Sequence, residues 1–181
     1  AYTEAELAEE VPGVRRTVEA PAGRFDLVLL MDVIEHVEDP PTFLAESVRP
    51  RTVPGGTVLA SVPAHPWLFG EHDRALGHHR RYRPDDFVDV VGSLGSVVEH
   101  GPLFVSLVPA RGLSVVVERT SPRRVRATRH GVGEWSHGPL VSRPVETALR
   151  ADARLSRWCG RRAVPLRGLS HWAVVRVGGG P

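Results

Sequence analysis

Seven successive residues, Phe25-Asp26-Leu27-Val28-Leu29-Leu30-Met31, form an apolar run interrupted once by a polar side chain and preceded by the turn residues Pro21–Gly23. A short apolar run bounded by turn signals predicts a strand buried on both faces of a parallel sheet. Thr57–Val62 has the same character, and Pro54-Gly55-Gly56 before it predicts a tight turn. Between the two, Asp39-Pro40-Pro41 offers a helix start, with proline tolerated in the first turn, and Thr42–Val48 continues the helix. Upstream, Thr3–Glu10 has helical composition with Thr3 and Glu6 spaced for a capping box, and Val14–Glu19 reads as a strand. Downstream, Pro84-Asp85-Asp86-Phe87 opens a helix that ends near Gly92–Gly95, and Ser96–His100 reads as a strand. Pro144–Trp158 reads as a helix and Leu169–Val177 alternates like a final strand. Pro102–Val117, broken by Pro109 and Arg111, reads as a buried helix or strand. Strand–helix–strand alternation implies right-handed crossovers, so the expected class is α/β with a doubly wound, mostly parallel sheet.

Composition narrows the setting. A chain of 181 residues holds one domain with a real core. All 23 basic residues are arginine, against 21 acidic ones, so the balance is only +2 and no strong positive field follows. The absence of lysine is most simply a coding bias, and nucleic acid is not an expected partner. The single cysteine, Cys159, excludes an internal disulfide framework and fits a reducing, cytoplasmic compartment; nothing beside it suggests an activated thiol. No stretch reaches the roughly 18–20 apolar residues of a membrane span, although Pro102–Val117 has the character for peripheral membrane contact.

Open parallel sheets bind ligands at the carboxyl ends of their strands. Asp32, Glu35 and His36 follow the first apolar run, and Pro63 and His65 follow the second. Phe25-Asp26-Leu27-Val28 leading into Asp32-Val33-Ile34-Glu35-His36-Val37 resembles the fourth-strand region of class I S-adenosylmethionine-dependent methyltransferases. Arg49-Pro50 and Pro54-Gly55-Gly56-Thr57-Val58 resemble the family's turn into its fifth strand. The loop Val62-Pro63-Ala64-His65-Pro66-Trp67-Leu68 through His72-Asp73 and Gly77-His78-His79-Arg80-Arg81-Tyr82 is similar to that of one bacterial subgroup. Leu169-Ser170-His171-Trp172-Ala173-Val174 resembles the family's last, antiparallel strand. The likeness covers Val14–His100 well and the rest loosely.

The resemblance implies a Rossmann-like domain over residues 1–181: a cofactor-side core at 1–100, a substrate-side insertion at 101–168 and a final antiparallel strand at 169–177. It implies S-adenosylmethionine as cofactor and a small-molecule or lipid-linked acceptor. The family's glycine-rich loop and the acidic residue that holds the ribose have no counterpart, so the chain is expected to lack the first two strands and to bind the cofactor poorly as a fragment, truncated form or degenerate copy. By position, Glu19 and Ala20 match the adenine-contacting loop, and Met31, Asp32 and Val33 match the segment along the methionine and ribose. Capping of the following turn is the other role open to Asp32.

Asp32, Glu35 and His36 stand at i, i+3 and i+4, one face of a helical turn, and offer oxygen and nitrogen ligands. A similar acidic-x-x-Glu-His element binds a divalent metal in ubiquinone-pathway O-methyltransferases and small-RNA 2′-O-methyltransferases. Many relatives with Glu-His use none, so no metal is assigned; His36 and His65 are candidate general bases and Glu35 lines the substrate pocket. His65, His72, Asp73, His78 and His79 match no standard zinc spacing. The resemblance instead makes their loop an active-site cap, with Trp67, His72, His78 and Tyr82 shaping the pocket and Arg80 and Arg81 neutralising an anionic substrate. Two readings compete with methyl transfer: a metal-dependent hydrolase built on the His/Asp loop, and a cofactor-free interaction module that docks through Pro102–Val117.

Overall fold

Phe25–Met31 forms strand β1, pairing in parallel with β2 (Thr52–Pro63) in a computed structural model that describes residues 17, 19–120, 139–162 and 166–178. Between them, Asp39 caps helix α1 (Pro40–Phe43), its carboxylate accepting from the Thr42 N–H at 3.2 Å and hydroxyl at 2.7 Å. A widened turn at Leu44–Val48 carries the chain on to β2. Phe25 pairs with Thr52 and Leu27 with Thr57, so the Pro54-Gly55-Gly56 turn is a bulge inside β2 and does not precede it. Gly55 takes φ 75° there, a conformation glycine adopts without steric cost.

The histidine-rich loop carries α2 (Glu71–Leu76), and after it come α3 (Pro84–Gly92), β3 (Gly95–Leu103), α4 (Val108–Thr120), α5 (Pro139–Arg161) and β4 (Ser170–Val177). The sheet order is β1-β2-β4-β3, with β4 antiparallel to both neighbours and β1, β2 and β3 running one way. The expected α/β architecture with an antiparallel final strand is therefore present.

Alternation sends Leu30, Val58, Ala60, Val62, Ala173, Val175 and Val177 to one face, where Ile34, Leu44, Val48, Phe87, Val91 and Leu94 close the core. Helix α3 forms because Pro84 fits its first turn, Asp85 and Asp86 suit its positive end, and Phe87 and Val91 make an apolar stripe. Each large side chain fully buried there is worth about 1.5–3 kcal/mol.

The other face of β1 departs from expectation. Leu27, Leu29 and Met31 are 54%, 55% and 48% exposed, so among the described residues this strand is buried on one side only. An apolar run is compatible with burial on both faces, but another layer must supply it, and no described element covers this side. Pro102 and Leu103 end β3, and the rest of the segment to Val117 turns through Val105–Leu107 into α4, with Pro109 in the first turn. Helix α5 is longer than expected and holds that turn, Asp152 accepting the Val105 and Ser106 N–H groups at 3.1 and 2.8 Å. The readings for Thr3–Glu10, most of Val14–Glu19 and the Cys159 thiol lie outside the described residues and side chains. No helix among the described residues is long and apolar enough to cross a membrane.

Candidate functional site

The chain leaves β1 through Asp32, whose φ of 52° lies in the left-handed region that aspartate tolerates better than most residues. Its N–H donates to the Ser61 carbonyl at 3.0 Å, and its Oδ1 accepts from the Ser61 hydroxyl at 3.2 Å. These bonds fix an exposed carboxylate across the carboxyl ends of β1 and β2. They also replace the expected cap: Val33 precedes the next turn, with no side-chain hydrogen bond to it.

Ile34–His36 is one tight 3-10 turn, and it does not array Asp32, Glu35 and His36 on a common face. Glu35 is fully buried and among the described residues neither carboxylate oxygen has a hydrogen-bond partner, whereas His36 is exposed. Burial, aided by the nearby Asp32 charge, pushes the Glu35 carboxyl up to about 7.

The histidine-rich loop is fastened at its neck. The His65 N–H donates to the Tyr82 carbonyl at 2.8 Å and the Tyr82 N–H to the Pro63 carbonyl at 3.0 Å. It is also tied to the 34–36 turn: the His79 N–H donates to the Glu35 carbonyl at 2.9 Å and the Tyr82 hydroxyl to the Ile34 carbonyl at 3.2 Å. Inside it, α2 begins at Gly70, whose N–H donates to the Asp73 carboxylate, and ends at Gly77 with φ 77°.

Asp73 is the hub of this loop. Its fully buried carboxylate accepts from Arg81 Nε at 2.8 Å and Arg111 at 2.9 Å, and lies 3.1 Å from His78 Nδ1. Burial raises the Asp73 carboxyl, but Arg81, the Gly70 N–H and His78 outweigh it and hold the group below the ordinary carboxylate range. Arg111 also pairs with Glu118 at 3.0 Å, and Glu118 accepts the Glu71 N–H at 2.8 Å, which anchors the loop on α4.

The sequence-derived residues separate into distinct positions. His36 and His78 meet edge to face with ring centroids 4.7 Å apart, and ligand atoms of Glu35, His36 and His78 lie within 4.8 Å of one another. His65 stands elsewhere, with Pro66, Trp67, Arg83, Pro84, Asp85 and Arg167 around a cleft of about 440 Å³. Its φ is 63°, its Nε2 is buried without a partner among the described residues, and burial together with Arg167 and Arg81 lowers its affinity for a proton. Arg81 donates to Asp73 and to the Ala64 carbonyl and is nearly buried, so it is a strut of the loop and not a free cation for a substrate. Arg80 reaches the Glu38 carbonyl at 2.7 Å, Tyr82 is a core residue, and His72 is exposed on α2. Glu19 and Ala20 are exposed ahead of β1, Met31 is half exposed at its end and Val33 packs against the core. Sequence reasoning missed Arg111 and Glu118, whose spacing of seven puts them on one face of α4, and Arg83 and Arg167 in the His65 cleft.

A search of curated proteins returned no match. The family model described as a methyltransferase domain matches residues 4–118, more than half of the chain. That stretch includes β1, β2, the Asp32 crevice and the Asp73-centred loop. The chain belongs to this methyltransferase-domain family, with a class I S-adenosylmethionine-dependent methyltransferase-like domain.

Proposed function

We propose that this domain transfers the methyl group of S-adenosylmethionine to a small-molecule or lipid-linked acceptor in the cytoplasm. The observation that carries the reading is the exposed Asp32 carboxylate, pinned to Ser61 across two parallel strand ends. A fixed anion at that edge fits one side of such a cofactor, whose ammonium and hydroxyl groups need an acceptor. Met31 and Val33 flank it, and Glu19 and Ala20 are the adenine-side candidates.

S-adenosylmethionine supplies an electrophilic methyl carbon on a sulfonium, so the chain's own part is alignment and proton removal. Bound there, the cofactor would give its methyl carbon to an acceptor hydroxyl oxygen and its sulfur would leave with the bonding electron pair. The hydroxyl proton then passes to a base. His65 suits that role because burial and the arginines near it favour its neutral form, and its Nε2 has no competing partner among the described residues. Arg83 and Arg167 in the same cleft fit an anionic group on the acceptor, with Trp67 as an apolar wall. His36, Glu35 and His78, grouped at the 34–36 turn, stand as further candidates, as does His72, exposed on α2.

Titration with S-adenosylhomocysteine at millimolar concentration, followed by backbone NMR, tests the reading. Shifts should concentrate at Met31–Val33 and weaken at least tenfold in apparent affinity in Asp32→Ala. A titration that moves nothing there removes the claim. It would favour the interaction-module reading, for which exposed Leu107, Leu113, Val116 and Val117 provide the apolar surface.

A further inference from the structure

We propose that Glu35, His36 and His78 form a site for a divalent transition-metal cation. The starting point is the fully buried Glu35 carboxylate, both of whose oxygens lack a hydrogen-bond partner among the described residues. An ionised buried carboxylate without partners is costly, and proteins relieve it by protonation, by pairing or by coordination. The nearby arginine does not serve: the Arg81 guanidinium is engaged by Asp73 and the Ala64 carbonyl.

Two imidazoles complete the set. A ligand atom from each of Glu35, His36 and His78 lies within 4.8 Å of the other two. Metal–ligand distances of about 2.0–2.2 Å place tetrahedral ligand atoms roughly 3.4 Å from each other, so closure needs up to about an ångström of side-chain movement. Exposed His36 has room for that. His78 is suited to ligation: Nδ1 lies 3.1 Å from the buried Asp73 carboxylate, a placement that favours the proton on Nδ1 and leaves Nε2 as the acceptor nitrogen. Asp73 is itself held by Arg81, Arg111 and the Gly70 N–H, so the outer support is rigid. The bond from the His79 N–H to the Glu35 carbonyl keeps the two contributing segments together.

Two imidazole nitrogens and one carboxylate oxygen suit zinc, cobalt, manganese or iron(II) better than magnesium. Three protein ligands, one of them on exposed His36, leave coordination positions for water or for an oxygen of a bound molecule. The site includes neither Asp32 nor the His65 cleft, and its existence does not depend on methyl transfer.

The test uses tag-free protein stripped with chelator, then titrated with Co²⁺ and Zn²⁺ by visible absorption and calorimetry. One equivalent should bind, with a Co²⁺ d–d spectrum of low coordination number and a rise in Tm. Mg²⁺ should bind at least a hundredfold more weakly. His36→Ala and His78→Ala should each lose at least tenfold in affinity while circular dichroism stays native, and His72→Ala, on the same loop outside the site, should bind normally. Glu35→Gln should also lose binding, but the histidine variants decide the matter if it misfolds. Absence of stoichiometric binding, or binding that survives both histidine substitutions in folded protein, overturns the proposal.

Discussion

Replacing Asp73 with alanine removes the acceptor shared by Arg81, Arg111 and the Gly70 N–H, and the partner of His78. The Arg81 side chain is 5% exposed and that of Arg111 is 11% exposed, so neither cation can recover full hydration. Arg111 keeps Glu118 and Arg81 keeps only the Ala64 carbonyl, so the cost falls mainly on Arg81. Breaking a buried ion pair by deleting one partner costs about 3–5 kcal/mol. A domain of this size has roughly 5–15 kcal/mol in total, so Asp73→Ala is expected to remain folded with little reserve. In urea, with m about 1–3 kcal/mol/M, the midpoint should fall by roughly 2 M. Asp73→Asn keeps the shape and one acceptor oxygen and should lose about half as much. The double variant Asp73→Ala/Arg111→Ala should be less destabilised than the sum of the single ones, because the interaction is counted twice in that sum. A midpoint within about 0.3 M of the parent for Asp73→Ala would mean that water reaches this network, and the anchoring of the loop on α4 would be refuted.

Burial, with the charges of His100 and His65, pushes His171 down to about 4 in the folded chain, below its ordinary 6.5. The unfolded state then binds the extra proton, so stability is complete above about pH 6.5 and falls as the pH drops toward 4, by about 3 kcal/mol. Urea melts at pH 7 and pH 4 on the parent and on His171→Leu read this directly: the pH 7 to pH 4 loss should be smaller in the variant by about 3 kcal/mol, the remainder belonging to groups such as Asp73 and His65, and an unchanged loss would move the titration elsewhere. Gly95→Ala would put a Cβ 2.6 Å from the Gly178 nitrogen and closer still to the Arg176 carbonyl oxygen, in the β3–β4 pairing. A loss of about 1–3 kcal/mol is expected from such overpacking, and a thermal midpoint equal to the parent's would contradict that packing.

Periodicity carried β1, the main part of β2, α3 and β4, because each is a short stretch whose apolar pattern and flanking turn residues agree. What it missed depends on partners remote in sequence. Arg80 and Arg81 are adjacent and chemically identical, yet one reaches a surface carbonyl and the other a buried carboxylate. Only the return of the loop onto β2, through the Ala64–Tyr82 bridge, distinguishes them. Asp32 fits an N-cap by local rules, but its left-handed backbone and the Ser61 hydroxyl on the neighbouring strand give it another role. The apolar side chains of β1 predict a strand equally well whether one face is covered or two, so the exposure of Leu27 and Leu29 was not legible. The histidine loop was distinctive in sequence, but the pairing of His78 with Asp73 and the approach of His36 needed the three-dimensional closure.

The charges buried beneath the crevice decide what sign of ligand it favours. Asp73 and Glu118 carry two negative charges, and Arg81 and Arg111 carry two positive ones, in a chain of contacts of 2.8 to 3.0 Å. That group is neutral as a whole and projects little field. Glu35 stands outside it with no hydrogen-bonded partner, and Asp32 adds an exposed carboxylate nearby, bonded only to the uncharged Ser61. The crevice at the end of β1 is therefore electronegative, while the cleft at His65 is lined by Arg83 and Arg167 against Asp85. In a medium that screens weakly, such a division draws a cation to one side and an anionic group to the other. A sulfonium or metal ion on the Glu35 side and an acidic acceptor on the His65 side are the ligands that satisfy it. Reversing the charge of Arg167 should weaken acceptor binding without altering Co²⁺ affinity at Glu35, His36 and His78. Equal losses at both would show that the two fields are one.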